Sequence, residues 1–212
     1  MIKLRFKYAI FDFDGTLADT EKINFSIFQQ LSEKYNFRKI AIEELNQLKK
    51  MSAKEVIDYL GIKKRKIPFA IKHGKKILKD DIHTVKPCKE NIKITLEKLK
   101  ENGIKLGILT TNSQTNVEKF LKANEINVFD FVVSASLFGK EMKLKKIIKK
   151  SKLNTDDVLY IGDEIRDIIA AHLVHVKIAT VTWGYNNIEA LKKHNPDYLI
   201  SNPEELLSIC LN

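Results

Sequence analysis

The chain has 212 residues, of which 44% are hydrophobic, and it carries a formal net charge of +10. This length suits one large domain or one domain with an insertion, and the apolar content excludes wholesale disorder. Charged residues interrupt every apolar run well short of the length that crosses a bilayer, so we expect no membrane segment.

The basic charge is spread over nearly every predicted helix, where Lys is interleaved with Glu. The densest run, residues 63–66, has no interleaved aromatic residues and no recognisable nucleic-acid motif around it. We expect a solvated surface and no nucleic-acid partner, although such charge can also attract small anionic substrates.

Cys88 and Cys210 have neither disulfide nor metal spacing, and residues 1–7 contain no cleavage site, so we expect a reduced, cytoplasmic protein.

Residues 7–12 predict the first strand, and two carboxylates stand at its end. Asp12 and Asp14 are two residues apart, so in extended backbone their side chains leave the strand on the same side. Two like charges repel each other there, and a divalent cation is the obvious compensation.

From residue 19 to about residue 85 the apolar residues recur at helical spacing only. Ser52 and Glu55 form a capping-box pattern that opens one of these helices.

From Pro87 onward, predicted helices and strands alternate. We predict helices up to residue 101 and over 117–123, 141–150 and 165–173, strands over 104–109, 131–133, 158–161 and 177–181, and a last helix opened by residues 202–205. This alternation predicts an α/β fold with a doubly wound parallel sheet covered on both faces. The predicted core domain comprises residues 1–17 and 86–212, and residues 18–85 form an inserted all-helical cap, called the cap below.

In such a sheet, ligands bind beyond the carboxyl ends of the strands. Four segments deliver polar groups to that edge. They are the Asp12–Asp14 pair, residues 110–112, residues 134–140 with Lys140 at the end, and residues 162–167, in which Asp163 and Asp167 share a helix face. Acids, a hydroxyl and a lysine that converge in this way fit metal-assisted phosphoryl transfer.

These residues resemble the motifs of the haloacid dehalogenase superfamily phosphatases, in the branch that has a helical cap after the first motif and includes phosphoglycolate phosphatase. Residues 11–16 read Phe-Asp-Phe-Asp-Gly-Thr and match the first motif, Thr110 the second, Lys140 the third, and residues 162–167 the fourth. The chain departs from the branch at Glu141, where a proline more commonly follows the lysine. The resemblance covers nearly the whole chain and implies a doubly wound core of that superfamily.

The resemblance also implies the roles of the charged residues. Asp12 is expected to be the nucleophile that forms an aspartyl-phosphate, and Asp14 the general acid and then base. Mg²⁺ is expected to be held by the Asp12 carboxylate, the Asp14 main-chain carbonyl and Asp163. Asp167 is expected to hold a metal-bound water or to orient Lys140, which neutralises charge on Asp12 and the phosphoryl oxygens.

The remaining expected site residues would contact the phosphoryl group. Thr110 would hydrogen-bond it, Thr111 is a rival for that hydroxyl role, and Asn112 and the backbone at Gly15 are further candidates. An alternative is that Thr110 only caps the following helix, a task that Asn112 or Ser113 could share. We expect Glu164 and Arg166 to be surface residues, and residues 183–185 to form a core-packing turn.

The expected function is therefore that of a Mg²⁺-dependent phosphomonoester hydrolase acting on a small phosphorylated metabolite, with phosphoglycolate as the first candidate. The alternatives are a phosphomutase of the same superfamily, a nucleotide or pyrophosphate phosphatase, and a protein that binds a phosphorylated ligand without turnover. The complete acidic set argues against the last of these. Neither the physiological substrate nor the oligomeric state follows from the sequence.

Overall fold

A computed structural model describes residues 4–211, and its centre is a six-stranded sheet. All neighbouring strands are parallel, and their order is β3-β2-β1-β4-β5-β6. The strands are β1 Tyr8–Phe11, β2 Lys105–Thr110, β3 Phe131–Ser134, β4 Val158–Gly162, β5 Lys177–Val181 and β6 Tyr198–Ile200. Strand β6 falls among residues for which we predicted no strand, and the other five confirm the predicted strands to within two residues at each end.

Ten α-helices accompany the sheet within residues 4–211. They are α1 Glu21–Tyr35, α2 Leu45–Leu48, α3 Ala53–Tyr59, α4 Ile67–Asp81, α5 Ile92–Glu101, α6 Gln114–Ala123, α7 Lys140–Lys150, α8 Ile165–Leu173, α9 Ile188–Lys192 and α10 Glu205–Leu211. The predicted capping box is confirmed, because Ser52 accepts a hydrogen bond from the Glu55 amide and the Glu55 carboxylate accepts one from the Ser52 amide. Over residues 4–211, we find no helix with the length and apolar character needed to cross a membrane.

The sheet is buried on both faces, as the nearly continuous apolar strands require. Successive strand residues alternate between two cores: Phe11 packs with α5, α6 and α10, whereas Ile10 packs with α7, α8 and α9. The predicted doubly wound architecture is therefore confirmed.

Helices α1 to α4 lie between β1 and β2 in the chain and contribute no strand to the sheet. They have a small apolar cluster of their own around Ile40, Leu48 and Leu60. The two segments that join them to the core run side by side. Ala18 forms an isolated bridge with Pro87, and the Cys88 amide donates to the Leu17 carbonyl at 2.9 Å. This paired connection is consistent with the domain boundaries that we predicted near residues 18 and 85, which stay a prediction.

The register of the sheet brings the ends of three strands together. Phe11 pairs with Ile108 on one side and with Ile161 on the other. The residues that follow these strands therefore emerge side by side at the carboxyl edge. The strand order also reverses its direction at β1, which is where open α/β sheets bind ligands.

We expect Leu96→Ala in α5 to lower the free energy of unfolding by about 2–5 kcal/mol, because Leu96 is fully buried in the core beneath the sheet. Ile94→Ala in the same helix is the control, since 55% of that side chain is exposed. Urea denaturation measures both. Equal losses from the two variants would contradict the packing of α5 described above.

Candidate active site

Three buried carboxylates meet at the carboxyl edge of the sheet. One oxygen from each of Asp12, Asp163 and Asp167 lies within 4.8 Å of the others. Lys140 reaches the same point from the first turn of α7, with Nζ 2.5 Å from Asp12 Oδ2 and 2.6 Å from Asp167 Oδ1. All four side chains are at most 3% exposed. The structure thus brings together four residues that are far apart in the sequence.

Asp12 has one oxygen in a hydrogen bond and one without. Oδ1 accepts from the Phe13 amide at 2.7 Å, whereas Oδ2 is an ion-pair partner of Lys140 but makes no hydrogen bond of good geometry within residues 4–211. Burial raises the pKa of Asp12 to about 7, although the Lys140 ammonium opposes the shift. Burial lowers the pKa of Lys140, but the negative charges of Asp12 and Asp167 have the opposite and larger combined effect. The pKa of Lys140 is therefore above its usual value, and Lys140 stays charged.

Within the part of the chain that the structure describes, the hydrogen-bond donors to the Asp163 carboxylate are both neutral. The Thr16 hydroxyl donates to Oδ1 at 2.7 Å and the Tyr185 amide to Oδ2 at 2.8 Å. Burial raises the pKa of Asp163 well above its usual value, and the negative charge of Glu164 adds to the shift. Two glycines leave the space for this carboxylate, because a Cβ at Gly15 or at Gly184 would collide with it. Gly15 also has a φ of +76°, which other residues rarely adopt.

Asp167 holds Lys140 in place and is itself held. Its Oδ2 accepts from the Glu164 amide at 3.1 Å, and its Oδ1 accepts from the Tyr160 hydroxyl at 3.2 Å as well as from Lys140. Gly162 leaves room for this carboxylate, since a Cβ there would strike it. The position of Asp167 is consistent with the predicted role in which it orients Lys140, and that role stays a prediction.

Asp14 faces a different environment from Asp12. The Asn112 amide group donates to both Asp14 oxygens at 3.1 Å, and the Thr20 hydroxyl donates to Oδ1 at 2.9 Å. Asp14 is only half-buried, and it lines a cavity between the sheet edge and the cap. Its carboxylate is therefore held by neutral groups and open to a bound molecule, whereas Asp12 is enclosed beside a cation.

The candidate phosphoryl-binding residues at the end of β2 and directly after it differ in their hydrogen bonds. Thr110 is fully buried and its Oγ1 accepts from the Asn112 amide at 2.9 Å, while its own proton has no acceptor within the described residues. Ser113 caps α6 by accepting from the Asn116 amide. Thr111 lines the cavity beside Asp14. The side chain of Asn112 is directed to Asp14, so its amide is already engaged rather than left free for a phosphoryl oxygen.

One interpretation of the sequence was incomplete and another was wrong: residues 183–185 do form a turn in which Trp183 packs on the core, whereas Glu164 and Arg166 are not surface residues. Residues 183–185 support the site and not only the core, since Gly184 and Tyr185 adjoin the Asp163 carboxylate. Arg166 and Glu164 are paired with each other, and their side chains are only 16% and 15% exposed. Arg166 also donates to a backbone carbonyl of the loop before α7 at 3.4 Å, which explains why it is not a surface residue.

Sequence reasoning also missed Thr16, Thr20 and Tyr160 as partners of the acids. Gly184 carried a usable signal, because it is a glycine just beyond a strand at the edge where the motifs meet. Tyr160 carried none, since a tyrosine inside a buried strand reads as core.

A divalent cation fits the three carboxylates. Asp12, Asp163 and Asp167 bring three carboxyl groups into a site where Lys140 is the only cation in contact with them within residues 4–211. Carboxylate oxygens are the donors that Mg²⁺ prefers, and the Asp12 oxygen without a hydrogen bond supplies one. The chemistry of the donor set therefore agrees with the expected metal.

Comparison with known proteins agrees with this geometry. A family model described as haloacid dehalogenase-like hydrolase matches residues 9–181. Phosphoglycolate phosphatase of Synechococcus elongatus is 28% identical over 200 residues, covering 93% of this chain and 94% of that protein. Pyrophosphatase PpaX of Bacillus cereus is 25% identical over 223 residues, covering 99% and 98%. A solved haloacid dehalogenase-like hydrolase of Streptococcus pneumoniae has the same fold, with a TM-score of 0.78, 21% identity and coverage of 97% and 98%.

The raised pKa of Asp12 predicts how the metal-free protein responds to pH. The folded state keeps a proton on Asp12 up to about pH 7, whereas the unfolded chain loses it near pH 4. Stability from this group is therefore lost as pH rises from about 4 through 7. In EDTA, we expect Asp12→Asn to raise the melting temperature relative to wild type more at pH 8 than at pH 5. The same gain at both pH values would contradict the shift.

Thr16→Val is expected to weaken Mg²⁺ binding about ten-fold or more, because the hydroxyl that orients Asp163 is lost. Thr180→Val in β5 is the matched control, since the buried Thr180 hydroxyl has no hydrogen-bond partner within residues 4–211. Calorimetric titration with Mg²⁺ gives both dissociation constants. If both variants bound Mg²⁺ as wild type does, Thr16 would have no part in orienting Asp163.

Proposed function

The chain belongs to the haloacid dehalogenase-like hydrolases, and from this premise we propose that it is a Mg²⁺-dependent phosphatase that hydrolyses small phosphomonoesters through a phosphorylated Asp12. The observation that carries the proposal is the buried convergence of Asp12, Asp163, Asp167 and Lys140 at the sheet edge. The phosphatase names of the relatives support the same class of reaction.

Asp12 is the proposed nucleophile. An oxygen of its carboxylate attacks phosphorus, the bond from phosphorus to the ester oxygen breaks, and the phosphoryl group passes to Asp12. Lys140, 2.5 Å from Asp12 Oδ2, balances the negative charge that gathers on the phosphoryl oxygens. Thr110 would donate its hydroxyl proton to one of them, a role that is supported by the absence of another acceptor for that proton within residues 4–211.

Asp14 is the proposed proton carrier. It gives a proton to the leaving alcohol and then takes one from the water that hydrolyses the aspartyl-phosphate. Its place on the cavity wall supports this role, because the cavity gives a leaving alcohol room beside Asp14. Asn112 and Thr20 hold the carboxylate in position during both steps.

The proposed Mg²⁺ ligands are the Asp12 carboxylate, the main-chain carbonyl of Asp14 and Asp163, with Asp167 beyond them. When bound, the cation neutralises the carboxylates and polarises the phosphoryl group. The cap would close over the reacting groups and exclude bulk water, and the paired segments near Ala18 and Pro87 would be its hinge. A cytoplasmic location suits the two free cysteines, Cys88 and Cys210.

Asp12→Asn is expected to lower phosphate release from a panel of monoesters by at least about 10⁴-fold, because the amide is a poor nucleophile. Asp197→Asn is the control: this carboxylate precedes β6 at the opposite edge of the sheet and pairs with Lys177 at 2.6 Å. A colorimetric phosphate assay with Mg²⁺ measures both variants. Retained activity in Asp12→Asn would overturn the mechanism.

The same assay separates a hydrolase from a phosphomutase. A hydrolase releases inorganic phosphate, whereas a mutase returns the phosphoryl group to a sugar phosphate.

Replacing Mg²⁺ with Ca²⁺ in the phosphate assay is expected to abolish turnover, since Ca²⁺ takes a larger and looser ligand shell.

A further inference from the structure

The cavity beside Asp14 has a volume of about 360 Å³. Its floor includes Asp14, Thr111 and Tyr185, which follow strands of the sheet, and its walls come from cap helices. At ~30 Å³ for a water-sized group, this volume holds about ten to twelve such groups. The space on the leaving-group side of the site is therefore larger than a two-carbon alcohol such as glycolate requires.

The walls of this cavity are mostly apolar. The cap contributes Ile27, Phe28, Val56, Ile71 and Leu78 to them. Ile71 packs into none of the three apolar clusters of the described residues, although it is partly buried on α4. An apolar side chain that belongs to none of these clusters and lines the same cavity as Asp14 is available to contact an apolar ligand.

One cation stands on these walls. Lys75, half-buried on α4, is the only lysine or arginine among the cavity-lining residues of the described chain, and Asp14 and Glu164 carry the negative charges there. A chain of hydrogen bonds fixes the backbone at Lys75 to the catalytic acid: Asn112 donates to Asp14, and Asn116 donates to Asn112 Oδ1 at 2.9 Å and to the Lys75 carbonyl at 3.0 Å.

A second groove adjoins the cavity at Lys75. Both Lys75 and Ile71 line a second, larger groove of about 1220 Å³, where Lys54, Lys72 and Lys76 add positive charge. The path from Asp14 therefore runs first along apolar side chains and then into basic surroundings.

We propose that the physiological phosphomonoester has an apolar leaving alcohol, an alkyl or aromatic group of about six to ten carbon atoms, with an anionic group at its far end that pairs with Lys75. This inference rests on the proposed function and narrows its substrate class. Hydrolysis of pyrophosphate would release phosphate as the leaving group, and its negative charges would lie against Asp14 and Glu164 with one lysine to offset them, which is costly in a low-dielectric cavity. Glycolate would leave most of the apolar wall without a partner.

A series of monoesters tests the apolar part of the proposal. We expect kcat/KM for Mg²⁺-dependent phosphate release to rise about four-fold per methylene from ethyl through butyl to hexyl phosphate, as each methylene leaves water. We also expect ω-carboxypentyl phosphate to exceed hexyl phosphate, and both to exceed phosphoglycolate and pyrophosphate. The highest kcat/KM for either of the last two compounds would overturn the inference and leave the proposed function intact.

Two pairs of variants assign the preference to residues. Ile71→Gln is expected to lower the ratio of kcat/KM for hexyl over ethyl phosphate at least five-fold, whereas Ile42→Gln, an equal change at a cap residue that is 71% exposed, leaves the ratio unchanged. Lys75→Met is expected to lower the ratio for ω-carboxypentyl over hexyl phosphate about ten-fold, and Lys50→Met, at an exposed lysine outside both cavities, leaves it unchanged.

The outcomes separate the two levels of the proposal. Phosphate release from no ester, with p-nitrophenyl phosphate included, would overturn the proposed function itself. Release without any chain-length preference, or a preference that Ile71→Gln leaves unaltered, would overturn only the apolar leaving group. An unaltered ratio in Lys75→Met would remove the anionic far end from the proposal.

Discussion

The structure depends on how three buried carboxylates are tolerated at one end of a sheet. Asp12, Asp163 and Asp167 share a space where one lysine offsets part of their charge. Removing a carboxylate from water is expensive unless a cation or several donors compensate it. Burial therefore raises the pKa of Asp12 and of Asp163. Within residues 4–211 the compensation is incomplete, and a site of this kind suits a divalent cation.

The local backbone follows from the same constraint. A carboxylate can approach the chain closely only where side chains are absent, and glycines stand at 15, 162 and 184 against Asp163 or Asp167. The strand order adds the second condition, because β1 lies between β2 and β4 and places the acids of separate motifs side by side. The strand order brings the acids next to one another, and the glycines leave room for their carboxylates. Neither feature alone would form the site.

Much of this could be predicted from the sequence, for physical reasons. The alternation of apolar segments is a local pattern, and the parallel sheet confirms it. The two-residue spacing of Asp12 and Asp14 did not indicate that Asp163 and Asp167, and not Asp14, would share the buried site with Asp12. The short β6 was missed because its three residues are too few to show a period. The partners Thr16, Thr20 and Tyr160 were missed because a hydrogen bond depends on side-chain direction, which composition does not encode. Arg166 was misplaced because its contacts with Glu164 and with the loop before α7 depend on the folded chain and do not follow from its residue type.

The two acids of the first motif end with opposite surroundings, and this difference extends to the substrate. Asp12 is enclosed beside Lys140, where charge can build up on a phosphoryl group. Asp14 lies among neutral amides and hydroxyls and faces a wall that is largely apolar. In the proposed mechanism, an apolar wall would keep water from the proton that Asp14 transfers, and it would favour a leaving group that is itself apolar. The proposal therefore gives the same residues two tasks, protecting the proton transfer and selecting the alcohol, so changes at Ile71 would alter catalysis and specificity together.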